Sequence, residues 1–145
     1  MKHLIFFTTG EWTGLVLRMT AGLIMLPHGL QKSFGLFGGF GFKASMEYFT
    51  GTMRLPWIIS LMVVVIETLG PLGLIFGVFA RIWALALIIV MIGAIITTTA
   101  KNGLFMNWYG TQNGEGFEYH LLFIGICVAI LFCGSGRFSV DEIMK

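Results

Sequence analysis

The chain has 145 residues, 57% of them hydrophobic and 11% charged, with a mean hydropathy of +0.89. That apolar surplus exceeds what a soluble domain of this length can bury, which excludes an ordinary globular enzyme and points to contact with lipid. Nine Lys and Arg against seven Asp and Glu leave a net charge of +2, too small and scattered for a nucleic-acid surface or a polybasic tail.

From the N-terminus, residues 4–7 form an apolar run too short for a signal peptide, and Thr8, Thr9, Gly10 and Glu11 interrupt it, so the N-terminus is expected to stay attached. A spanning helix needs roughly 20 mostly apolar residues to cross a hydrocarbon core about 30 Å thick. Residues 12–32, 57–79, 82–100 and 117–134 each meet that demand. No segment alternates like the strands of a membrane barrel. The expected fold is all-α, an integral membrane four-helix bundle, forming a single domain over residues 1–145.

Phe79-Ala80-Arg81 is so short a connection that the second and third helices must be antiparallel neighbours. Residues 33–56 are rich in Gly and Phe and are expected to lie along the interface, with a short amphipathic helix at residues 43–52. Residues 101–116 contain Trp108 and Tyr109, which suit a turn anchored at headgroup level. Four crossings put both termini on one side. Lys2, Arg18, Arg81, Arg137 and Lys145 on that side slightly outnumber Lys32, Lys43, Arg54 and Lys101 on the other, so the termini are expected to be cytoplasmic. Cys127 and Cys133 lie about 9 Å apart along one helix, beyond disulfide reach and without metal spacing, and read as apolar thiols.

An ionisable group near the bilayer centre costs about 2.5–3.5 kcal/mol on insertion scales, so it should face a partner inside the bundle. Glu67 is the clearest case, about 15 Å along its helix from Trp57. His28 on the first helix and His120 on the fourth lie toward one membrane face, within reach of Glu67. Lys32 follows His28 by one turn, and Arg18 falls near the same face, giving a stripe Arg18, His28, Lys32 that should face protein. Glu118 and His120 open the fourth helix, Glu118 at the membrane boundary. At the other end, Asp141 is expected to pair with Arg18 or Arg81 and tie the terminus to the bundle. Gly70, Gly73 and Gly77 should let another helix approach, and Pro71 should kink the second helix and free a carbonyl toward the polar interior.

These elements stand in order as Leu17-Arg18, Pro27-His28-Gly29-Leu30-Gln31-Lys32, Glu67-Thr68-Leu69-Gly70-Pro71, Ala80-Arg81, Glu118-Tyr119-His120 and Gly134-Ser135-Gly136-Arg137-Phe138-Ser139-Val140-Asp141. Together they resemble the DoxX family of small membrane proteins over nearly the whole chain. Val140 stands where Leu is usual, a conservative departure. The resemblance implies a plasma-membrane protein, multi-pass, linked to oxidoreductase systems. Some relatives form the membrane subunit of a thiosulfate:quinone oxidoreductase, and others associate with thiol-redox proteins. No segment here resembles the soluble subunit that thiosulfate oxidation requires.

Two functional classes follow. A redox-associated protein would bind a quinone or other small amphipathic molecule, with His28, Lys32, Glu67, Glu118 and His120 as ligand-binding or proton-relay candidates. No flavin, metal or haem-attachment signature occurs, and one histidine pair is too unspecific to argue for a haem, so electrons are expected from a redox partner protein. The chain would then act in the lipid bilayer as a homo-oligomer or as a subunit of a membrane complex, with no nucleic-acid partner. The alternative is a non-enzymatic membrane scaffold, assembly factor or small-solute carrier, whose buried charges hold helices in register.

Overall fold

The computed structural model describes residues 11–145, and these form helices and their connections without strands. The reading of residues 4–10 and the place of Lys2 in the charge count lie outside the described residues. Helix α1 spans Trp12–Phe34 and α2 spans Gly41–Glu47, running on into a π-helical turn at Tyr48–Thr52. Helix α3 spans Trp57–Phe76. Helix α4 spans Ala80–Ala94 and continues through a π-helical turn at Ile95–Thr99 and a 3-10 turn at Ala100–Asn102. Helix α5 spans Glu118–Cys133, and the short α6 spans Val140–Ile143.

The reversal between α3 and α4 comes earlier than the apolar pattern alone indicates. Gly77 adopts φ +65°, a left-handed conformation that ends α3 and returns its N–H to carbonyls of the last turn. Phe79 is also left-handed, so α4 starts at Ala80. The connection is therefore residues 77–79, two to three residues earlier than the expected ends at 79 and 82 imply.

Helix α1 packs most extensively on α3 and also on α5, while α4 packs on both α3 and α5, so the four long helices close into a ring. Met25, Leu74, Leu87, Met91, Phe123 and Ile130 fill its centre. Small residues set the close approaches: Gly73 faces the Trp83 indole with no room for a methyl group. Helix α2 leans on α1 and α3, burying Ser45 and Met46 and exposing Lys43 and Glu47, which is the amphipathic division expected there.

Two continuous helices, Trp57–Phe76 and Ala80–Asn102, are long and apolar enough to cross a bilayer. Only 44% and 28% of their most apolar windows are buried inside the bundle, so most of that apolar surface turns outward. Ile58, Met62, Leu69, Leu85, Ile89 and Ile96 are among the side chains so exposed. A soluble protein would not leave such a belt open to water, and the architecture is that of a helical membrane bundle.

Candidate functional site

The acid of α3 is met by the lysine of α1. Glu67 is 5% exposed, and its Oε2 forms an ion pair with Lys32 Nζ. Both stand at this depth because α1 and α3 touch backbone to backbone. Gly29 lies against the Glu67 carbonyl and Thr68 Cα, and a methyl group there would overlap them. Thr68 Oγ1 donates to the Gly29 carbonyl at 3.3 Å and to the Val64 carbonyl at 2.7 Å. Pro71, one turn after Glu67, has no N–H to return to the Glu67 carbonyl, so that carbonyl is the one α1 approaches. Helix α3 nevertheless runs unbroken through Pro71.

Lys32 faces two ways. Its ammonium holds Glu67, and its side chain lines a partly open cavity of about 500 Å³ between the end of α1 and α2. Gln31, Phe40, Ser45, Tyr48 and Phe49 form other parts of its wall. Gln31 Nε2 donates to the Phe37 carbonyl at 3.1 Å and so braces the loop over the cavity. The result is a mostly apolar recess with one cation at its edge and a carboxylate behind that cation, a form suited to a flat amphipathic molecule.

The remaining candidates divide. His28, one turn before Lys32, is exposed as a residue, although its ring lies 6.2 Å from that of Tyr119. It has rotated away from the buried line through Arg18 and Lys32, because ten residues at about 100° each leave it roughly 80° from Arg18. The expected stripe therefore faces protein at Arg18 and Lys32 and opens outward at His28. His120 stacks edge-on against Tyr119 at 5.6 Å. Glu118 is exposed and stays outside this cluster, its Oε2 accepting from the Met106 N–H at 3.3 Å. Tyr119, absent from the candidate residues read from the sequence, is the ring that joins both histidines. A tyrosine at a helix start carries no spacing signal, so only its neighbours reveal it. The cavity wall beyond Lys32 was equally hidden, because it forms where a loop folds back over α1.

A second polar cluster closes the opposite end of the bundle. Arg18 is 1% exposed, yet it forms no ion pair with Asp141. Its Nε donates to the Ser135 carbonyl at 2.9 Å, its Nη2 to those of Arg137 at 2.9 Å and Phe138 at 2.8 Å, and its Nη1 to those of Leu74 at 3.2 Å and Ile75. Asp141 instead accepts from the Phe79 N–H at 2.7 Å, the Ala80 N–H at 3.0 Å and the Ser135 hydroxyl. It caps the first turn of α4, where the helix end favours negative charge. Arg81 turns to the Phe132 carbonyl at 3.0 Å. The expected pairing of Asp141 with Arg18 or Arg81 is thus replaced by backbone contacts, because the glycine-rich exit offers carbonyls and the α4 start offers N–H groups at closer range. Cys127 is buried and Cys133 half-buried, and neither is in a disulfide. No group of three or more metal-ligating side chains occurs among the described residues.

Comparison with known proteins agrees with this architecture. The DoxX family model matches residues 14–100. A Bacillus subtilis (strain 168) protein named "Putative oxidoreductase CatD" is 34% identical over 127 residues, covering 88% of this chain and 83% of the relative. No solved structure matches the chain. The matched region contains Arg18, the Gly29 contact, the Lys32–Glu67 pair and the α3–α4 turn, and on that extent of similarity the chain belongs to the DoxX family.

Proposed function

We propose that this protein is a redox-associated membrane protein that binds a quinone, or a closely similar amphipathic ring compound, in the cavity beside Lys32. The observation that carries the reading is the Lys32–Glu67 pair at the edge of an apolar recess of about 500 Å³. A quinone carbonyl needs a hydrogen-bond donor, which the Lys32 ammonium supplies, and its ring needs an apolar slot, which Phe40 and Phe49 supply. Glu67 holds the ammonium in place within the bundle. The name of the Bacillus relative, an oxidoreductase, supports the redox association. In this reading all four long helices cross the plasma membrane, both termini are cytoplasmic, and a partner protein supplies electrons.

Titration of purified protein with ubiquinone and menaquinone analogues tests the proposal. Saturable binding that weakens at least tenfold in Lys32→Met, with the variant still folded, is the expected result. Binding that is absent, or indifferent to Lys32→Met and Glu67→Gln in folded protein, removes it. In that case the pair serves only to hold α1 on α3, and the protein acts as a scaffold.

A further inference from the structure

The cavity makes no use of Tyr119, yet this residue stands at the centre of a polar group at the start of α5. Its ring contacts His28 at 6.2 Å, His120 at 5.6 Å and Phe123 at 6.0 Å. Phe123 is 2% exposed, so the Tyr119 ring is seated on the core. Tyr119 Oη and His120 Nδ1 are both buried, and neither has a hydrogen-bond partner. Buried polar atoms are nearly always satisfied, by protein or by ordered water. Two orphans on consecutive residues therefore call for an occupant from outside the chain.

Several observations narrow the occupant to water. A phenol both donates and accepts, and a neutral imidazole nitrogen does one or the other, so the occupant must be able to do both. Water does so and needs as few as two polar partners, the number these atoms provide. The group also belongs to the layer of the ion pair. Lys32 follows His28 by one turn of α1, and Lys32 is the ion-pair partner of Glu67. On its outer side, α5 begins directly beneath the connection from α4, where the Phe117 and Glu118 N–H groups donate to the Gly103 and Leu104 carbonyls.

We propose that Tyr119 and His120 hold ordered water, with His28 at its exposed rim, and form a proton path from the α5 end of the bundle to Glu67. This goes beyond ligand binding in the cavity, since it assigns a second, hydrated entry to the ion pair. A proton moving along the path arrives on the Tyr119 oxygen as the phenol releases its own proton inward. The phenol ends unchanged and one proton has advanced, with no oxidant or reductant involved.

Water-edited solid-state NMR of the isotope-labelled full chain in phosphatidylethanolamine and phosphatidylglycerol liposomes, without quinone, tests the proposal. Magnetisation from water is expected at the Tyr119 and His120 rings several-fold sooner than at Leu87. In Tyr119→Phe, transfer to His120 Nδ1 and to the Glu67 carboxyl carbon should fall several-fold, while the Lys32 Nζ signal, reached through the cavity, holds. Transfer to the two rings as slow as to Leu87 overturns the hydrated site. Unchanged transfer to Glu67 in Tyr119→Phe overturns the path. Neither result depends on quinone binding, so the cavity proposal stands or falls separately.

Discussion

Gly29 of α1 rests directly on the backbone carbonyl of Glu67 in α3, and this contact brings Lys32, one turn farther along α1, to the Glu67 carboxylate. A side chain at position 29 would have to displace backbone, which no rotamer change can relieve. Gly29→Ala is therefore expected to cost about 1–3 kcal/mol, the usual range for overpacking. Thermal unfolding in detergent checks this. The same variant should weaken ligand binding, because the pair is pulled apart even though neither partner is altered.

Removing one partner of a buried ion pair costs more than removing both. Glu67 is almost wholly buried, whereas the Lys32 side chain is 29% exposed and can recover some hydration. Glu67→Leu strands a partly hydrated ammonium, and Lys32→Met strands a buried carboxylate, so Lys32→Met should be the more damaging, toward about 3 kcal/mol. The double variant Lys32→Met/Glu67→Leu should be more stable than Lys32→Met alone. A double-mutant cycle on melting temperatures reads the coupling, and strict additivity would show that the pair contributes nothing.

The Arg18 guanidinium serves five carbonyls, two at the end of α3 and three on the exit from α5. Lysine offers three donors on one nitrogen, so Arg18→Lys leaves at least two of those carbonyls unserved. Hydrogen bonds within membrane proteins average about 0.6 kcal/mol each, so the loss should be at least about 1 kcal/mol. The Arg137 carbonyl is among those held, and a protease must engage that carbonyl to cut after Arg137. Trypsin should therefore release residues 138–145 many times faster from Arg18→Lys than from the parent protein, as intact mass reports.

Asp141 acts through both carboxylate oxygens, each accepting a backbone N–H from the start of α4. Asn keeps one acceptor and turns an NH2 group toward an N–H, so Asp141→Asn should cost about 1–3 kcal/mol. Ser135→Ala removes only one contact to the same carboxylate and should cost less. Melting temperatures of the two variants should rank in that order.

Much of this arrangement is legible in the linear chain. Apolar runs near 20 residues have one low-energy state in lipid, the helix, since every backbone group must be satisfied internally. A lone acid in such a run must turn inward, and Glu67 does. The three- and four-residue spacing of glycines in α3 likewise announces close packing, which Gly73 and Trp83 bear out. All of these follow from short-range rules of period, length and solvation that act within one helix.

The choice of partners follows no such rule. Helical period places His28 and Lys32 near one face, but the rotation of α1 on α3, set by Gly29, gives Glu67 to Lys32 and turns His28 toward Tyr119. Likewise charge alone matches Arg18 with Asp141, yet each is satisfied by backbone groups from segments far away in the chain. The cavity wall exists only once the loop after α1 folds back against that helix. Depth and face are properties of a single helix, whereas contacts depend on the relative rotation and separation of several helices, and those emerge only when the bundle closes.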